Sequence, residues 1–312
     1  MTTAVVKPQM FFPYVVNIQK YPWLGSQIEN HVPLKKKWVI KSRGYTYQIP
    51  IYWPEFERDQ AIYDEDMKSL EGCPVRIGIR HVPSEYQLWP GYENGPPTPE
   101  GCCAMGEFAG KLIKRYKGQI SGFEIHNEPN VSTKEANYWR RWFGAYIWDD
   151  GSTPPDPVHA GAIYASVVSA VYPIIKEYDP AVLIYAGALQ VNPHMLPFLR
   201  GMGGVLADAV SVHPYLRMTT EFSEMDDLLA LMRAETDLPI AATETNVLGD
   251  DSTWHRQRQA QWLRYLIRSR ERLGLESITV YSLMNPWENT GMVDGNGGKP
   301  IYEVFSSPEN MI

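Results

Sequence analysis

The sequence predicts a parallel α/β fold of the (β/α)8 barrel type, a single domain over residues 1–312 with enlarged loops on the C-terminal face of the strands. Three observations carry this. Strand-like and helix-like segments alternate from about residue 13 to about residue 305, the pattern of a parallel sheet joined by helical crossovers. Two largely apolar runs, Phe123-Glu124-Ile125-His126-Asn127-Glu128 and Ala241-Ala242-Thr243-Glu244, end abruptly in a carboxylate, as buried parallel strands do where they emerge on a catalytic face. The length, 312 residues, exceeds the roughly 250 of a plain barrel by enough for long loops but not for a second domain.

Taken in order, the first strand is expected at Phe12 to Ile18, followed by an irregular Trp-Leu-Gly-Ser stretch and a helix around Pro33 to Ser42. Thr46 to Trp53 alternates as a second strand, with its helix at Arg58 to Leu70. The third strand is Pro74 to His81; the loop after it, Pro83 to Pro99, is rich in Pro, Gly, Trp and Tyr and is expected to shape one wall of a cleft. A helix from Glu100 to Tyr116 leads into strand four at Ile120 to His126. After an excursion at Trp148 to Pro157 come strand five at Val182 to Ala188, strand six at Ala209 to His213, strand seven at Pro239 to Thr243 and strand eight at Ser277 to Leu283. Asp294-Gly295-Asn296-Gly297-Gly298 lacks the alternating acids and terminal Glu of a calcium loop and reads as a glycine-rich turn.

Composition narrows the function classes. The net charge of −7 carries no electrostatic footprint for nucleic acid. The arginines between Arg256 and Arg272 fall opposite an apolar stripe of Trp262, Leu263, Leu266 and Ile267, so they read as the outer face of a helix. The longest uncharged stretches, Pro157 to Ile175 and Pro180 to Leu199, contain His, Ser, Gln, Asn and Pro, so they read as barrel strands and buried helix faces rather than membrane spans. Three cysteines, two of them adjacent, do not form a disulfide framework. The N-terminal residues have no secretory-signal pattern, which leads us to expect a cytoplasmic protein, or a secreted one whose leader has been removed. Neither metal-ligand spacing nor a cofactor motif is present in the sequence, and the number of subunits is not legible in it. The 10 Trp and 19 Tyr supply flat rings for stacking on sugar C–H faces, although aromatic side chains mostly fill cores.

Two glutamates from separate strands, Glu128 and Glu244, are the minimum equipment for glycosidic hydrolysis, one as proton donor and the other as nucleophile or base. A general acid must keep its proton at neutral pH, which partial burial and a neighbouring ionised carboxylate favour. The bland alternative is that each glutamate closes a strand or caps a helix.

The Asn127-Glu128-Pro129 step with the later Glu244 resembles the acid/base and nucleophile motifs of the clan A retaining glycoside hydrolases, and the wording FEIHNEPN is closest to family 39 and its relatives. SVHPY, ATETN and VYSLMNPWENTGMVDGNGGKPIYEVF fit the sixth, seventh and eighth strands of that clan, and the resemblance covers roughly residues 45 to 305. It implies a (β/α)8 barrel acting on a carbohydrate without a cofactor, with Glu128 as acid/base and Glu244 as nucleophile. It also implies that Asn127 binds the sugar 2-hydroxyl and that Tyr215, near His213, donates to the nucleophile; His213-Pro214-Tyr215 is otherwise a rigid turn.

One departure stands out. Many members place an arginine on strand two against the nucleophile, where this chain has Gln48. Arg80 on strand three could supply that cation; alternatively Arg76 or Arg80 pairs with Glu124 inside the barrel. His81 is a candidate for a sugar hydroxyl or a structural histidine. Trp53, Tyr281 and Trp287, at or beyond the ends of strands two and eight, are candidates for stacking on sugar. Two other readings remain open: a divalent-metal barrel built on His81, His126, His213, Glu128 and Glu244, and a catalytically silent carbohydrate-binding barrel.

Overall fold

The fold was taken from a computed structural model, which describes residues 24–27, 44–89, 91, 94–131, 156–249, 252–282, 292–294 and 297–310. Eight parallel strands close a barrel in sequence order: β1 (Leu24–Gln27), β2 (Thr46–Tyr52), β3 (Val75–Arg80), β4 (Ile120–Ile125), β5 (Leu183–Gln190), β6 (Ala209–His213), β7 (Ile240–Thr245) and β8 (Leu275–Val280). The ring shuts where β1 pairs with both neighbours, Gly25 lying opposite Thr46 of β2 and Thr279 of β8. The first strand is therefore Leu24–Gln27, overlapping the Trp-Leu-Gly-Ser stretch expected to be irregular. The expected strand at Phe12 to Ile18 and the helix at Pro33 to Ser42 lie outside the described residues.

Helices α1 (Trp53–Arg58), α2 (Ala61–Ser69), α3 (Pro99–Arg115), α4 (Pro157–Tyr178), α5 (Met195–Gly201), α6 (Glu224–Glu235), α7 (Thr253–Leu273) and α8 (Pro300–Ser306) follow the strands. Proline at the first helical position and Thr98 Oγ1 accepting from Gly101 N start α3. α4 is long and apolar enough to cross a bilayer; here its face of Ala160, Tyr164, Val168, Val171 and Ile175 is buried in the core beside the strands. On α7 the predicted stripe of Trp262, Leu263, Leu266 and Ile267 is buried, while Arg272 pairs with Asp226 at 2.5 Å.

Period-two alternation sorts the strand residues. Tyr47, Ile49 and Ile51 of β2 and Val75, Ile77 and Ile79 of β3 join the hydrophobic core with the helices. The inward row is polar: Arg76 Nη1 donates to Gln48 Oε1 (3.1 Å) and Thr279 Oγ1 (3.2 Å), its Nη2 donates to Ser277 Oγ (3.0 Å), and its guanidinium lies 4.3 Å from the centre of the Tyr185 ring. Gln48 Nε2 in turn donates to Glu124 Oε2 at 3.2 Å. Arg76 and Gln48 thus bind side chains from other strands, as burial demands, and the layer is the floor on which the site stands.

Two irregularities break the alternation. On β5, Ala186 faces Val210 and Leu189 faces Val212 of β6, so three steps oppose two and a bulge forms at Gly187 and Ala188. Gly187 adopts φ +127°, and a Cβ there would meet Ser211 O at 2.6 Å, so the bulge needs glycine. On β7, Ala242 faces Ile278 and Thr245 faces Val280, leaving a second bulge at Thr243 and Glu244.

Candidate active site

The second bulge explains how Glu244 enters the barrel. In regular alternation Thr243 and Glu244 would point to opposite faces. Thr243 is fully buried and its hydroxyl helps to hold the Glu124 carboxyl down inside the barrel, and the extra residue lets Glu244 turn inward as well. The strand end is then pinned from outside, because Trp262 Nε1 donates to Thr245 Oγ1 (2.9 Å) and the Thr245 hydroxyl donates to Pro214 O (2.8 Å).

The first bulge serves Glu128. Its backbone N–H donates to Ala188 O at 3.1 Å, and the bulge is held in turn by Gly187 N donating to the Tyr164 hydroxyl (2.8 Å), which donates to Ile125 O (2.6 Å). Glu128 has φ +44°, a left-handed conformation that a non-glycine residue keeps only when its surroundings hold it.

The two glutamates meet over His213. Its Nδ1 lies 3.0 Å from Glu128 Oε1 and 3.4 Å from Glu244 Oε2, and one donor atom from each of the three residues falls within 4.8 Å of the others. The Tyr215 hydroxyl donates to Glu244 Oε2 at 2.9 Å and Arg80 Nη2 donates to Glu244 Oε1 at 3.1 Å. Arg80 also stands 3.9 Å from Glu124, so both sequence alternatives for Arg80 hold together, while Arg76 reaches Glu124 through Gln48. Gln48 belongs to the polar floor, and the cation that touches Glu244 is Arg80 of the next strand.

Burial raises the Glu244 carboxyl above its ordinary range, opposed by His213 and Arg80 and assisted by Glu128 and Glu124. Burial would lower His213, but Glu244, Glu124 and Glu128 outweigh it and lift the imidazole to about 10. Glu124, although burial works against its charge, is brought down to about 2 by His213 and Arg80. His126 is pushed to about 3 by burial and by the charges of Arg80 and His81, so it is a neutral side chain.

The remaining candidates divide. Asn127 is half-buried beside Glu128, and its amide oxygen is buried without a hydrogen-bond donor among the described residues. Tyr281 sits beside the site with its ring edge-on to Tyr215 at 5.8 Å. His81 ends β3 at φ +60° with its ring against Tyr52, 4.8 Å away. Trp53 must be corrected: β2 ends at Tyr52 and the chain turns at once into α1, so the Trp53 ring is 2% exposed, stacked on Phe108 (5.1 Å) and Tyr86 (5.7 Å), and offers no face to a sugar. Trp287 lies outside the described residues, as do most of the Trp148 to Pro157 excursion and parts of the Pro83 to Pro99 loop. For Glu124 the sequence suggests only a partner for an arginine; a carboxylate in the middle of the buried strand Ile120–Ile125 is the available signal.

No family model and no curated protein matches the chain in sequence. Among solved structures it is similar to a glycoside hydrolase family 39 β-xylosidase from Caulobacter crescentus, at 15% identity and TM-score 0.60, over 94% of this chain and 72% of that one. The two chains share a barrel fold. A psychrophilic family 10 endo-β-1,4-xylanase aligns at 16% identity and TM-score 0.61 over 92% and 96% of the two chains. The family 39 enzyme of Xanthomonas axonopodis pv. citri aligns at 13% and 0.59, over 94% of this barrel and 67% of that protein.

Proposed function

We propose that the protein is a retaining O-glycoside hydrolase acting on an oligo- or polysaccharide by double displacement, with Glu244 as nucleophile and Glu128 as acid/base. The observation that carries this is the close approach of the two carboxylates, with one oxygen of each within 4.8 Å. Carboxyl groups about 5–5.5 Å apart leave room for direct attack, whereas inverting enzymes need about 6.5–9.5 Å to seat a water between them.

Glu244 is held on both oxygens, by Arg80 on one and Tyr215 on the other, which keeps it aimed and favours the ionised form needed for attack on the anomeric carbon. Glu128 gives a proton to the departing glycosidic oxygen. It then takes one from the water that releases the sugar from Glu244, returning both groups to their starting states. The Asn127 amide oxygen, which accepts no hydrogen bond among the described residues, suits a sugar 2-hydroxyl, a contact that strengthens in the transition state. The xylosidase and xylanase neighbours support a carbohydrate substrate through shared fold.

The deciding experiment is azide rescue with an activated aryl glycoside. Glu244→Ala should be inactive until azide restores turnover with an inverted product, and Glu128→Ala should be rescued with a retained product. Swapped stereochemistry would reverse the assignment, and no hydrolysis of any glycoside by the parent protein would remove it. The same three donor atoms could also ligate a cation, which keeps a metal reading open. It predicts loss of activity on exhaustive chelation and recovery with one divalent ion, whereas two-glutamate chemistry is indifferent to chelation.

A further inference from the structure

Glu124 has no role in the two-carboxylate scheme, yet it touches what holds both of them. It is fully buried, and its Oε2 accepts from Gln48 Nε2 (3.2 Å) while lying 3.9 Å from Arg80 Nη2 and 3.9 Å from His213 Nε2. Those two cationic side chains are the ones that reach Glu244 and Glu128. We infer that Glu124 is a positioning residue: from inside the barrel its carboxylate anchors Arg80 under Glu244 and keeps His213 doubly protonated between Glu128 and Glu244. This rests on the glycosidase reading for its effect on turnover, but its effect on His213 stands apart from that reading.

The geometry of the imidazole argues for the charged ring. Carboxylates face both nitrogens: Glu128 and Glu244 stand 3.0 and 3.4 Å from Nδ1, and Glu124 stands 3.9 Å from Nε2, at ion-pair but not hydrogen-bond distance. A neutral tautomer would turn a lone pair onto one of them, whereas imidazolium presents an N–H on each side. The charged and titratable groups facing His213 are these three glutamates and Tyr215, whose ring is edge-on at 6.3 Å. Those facing Glu124 are Arg80 from β3, His213 from β6 and Tyr164 from α4, with neutral Gln48 and Thr243 completing its shell. The upward shift of His213 and the downward shift of Glu124 have the same sense.

The charge count gives Glu124 its consequence. Three carboxylates against Arg80 and His213 leave the closed site one negative charge, so a single added proton neutralises it, and that is the proton a general acid must hold. Without the Glu124 charge the two cations already balance Glu128 and Glu244. The catalytic proton, or the one on His213, is then held less tightly.

The test is Glu124→Gln, which keeps shape and can still accept from Gln48. In the parent protein, ¹⁵N resonances of the His213 ring at about pH 8.5, above the ordinary histidine range, should be those of imidazolium. In Glu124→Gln that form should be lost at lower pH. Both limbs of the kcat/KM profile should also move to lower pH, by about one unit or more, the usual effect of one charge at a few ångströms. A residue that merely packs would lower kcat and leave the limbs and ring protonation in place. Should Glu124→Gln fail to fold, Glu124→Asp keeps the charge but withdraws it by one methylene, and must show the same displacements at smaller size. A neutral His213 in the parent protein, or unmoved ring titration in a folded variant, would overturn the inference. Absent glycosidase activity with the expected ring titration would instead count against the hydrolase reading alone.

Discussion

Replacing Arg80 by methionine separates a cation that serves Glu244 from one that only fills the barrel. Arg80 donates to Glu244 at 3.1 Å from a position 5% exposed, and a hydrogen bond between charged groups is worth about 1.5–3 kcal/mol. At 1.36 kcal/mol per pH unit this corresponds to about one to two units, so the acidic limb of kcat/KM in Arg80→Met should move up by that amount. Burial already raises Glu244 above its ordinary value, and losing Arg80 extends the shift in the same direction. In the window between the ordinary value of 4.5 and the raised one, the folded state binds more protons than the unfolded state, so stability falls as pH rises through it. At neutral pH the variant strands Glu244 and Glu124, a loss of about 3–5 kcal/mol, part of which returns on acidification. The assays are a pH–rate profile on an aryl glycoside and denaturant unfolding at two pH values. Arg76→Met is the control: it removes the same charge one layer deeper, where the partners are Gln48, Ser277 and Thr279. It should lose stability with the acidic limb in place. A folded Arg80→Met enzyme with an unmoved acidic limb would refute the reasoning.

Three further outcomes follow from the same geometry. Tyr215→Phe deletes the 2.9 Å bond to Glu244 Oε2 and should reduce kcat/KM roughly 10- to 100-fold, the kinetic equivalent of about 1.5–3 kcal/mol, with little change in melting temperature; an unchanged rate would remove Tyr215 from the site. Trp53→Ala should cost about 3–5 kcal/mol by opening the core against Phe108 and Tyr86, while KM for a sugar substrate stays put; a selective rise in KM would restore it as a sugar platform. His213 is held up to about 10, so its stabilisation is complete below the ordinary 6.5 and lost as pH rises through about 10. A melting temperature that stays flat across that window would contradict the bound proton.

What the sequence by itself determined is everything that local pattern controls. Strands from Thr46 onward follow period-two or continuous apolar runs bounded by turn residues, and each lies within a few residues of its expected place. The two carboxylates were legible because a buried run that stops at a charge has few other meanings. Leu24–Gln27 was not legible: Leu-Gly-Ser-Gln has no β-branched or alternating signature, and it is a strand because the open edges of β2 and β8 need a partner between them. Trp53 was misplaced because a strand end and a helix start look alike in sequence, and only packing against α3 decides where the ring goes. Tertiary structure also decided that Glu244 enters the barrel, since the bulge at Thr243 and Glu244 reverses the alternation that sequence alone would count. It likewise decided that Arg80 reaches Glu244, and that Glu124 lies 3.9 Å from both Arg80 and His213. Those contacts join residues from β2, β3, β4, β6 and β7 whose separation along the chain reaches 164 positions, and no local pattern encodes which of them share one buried layer.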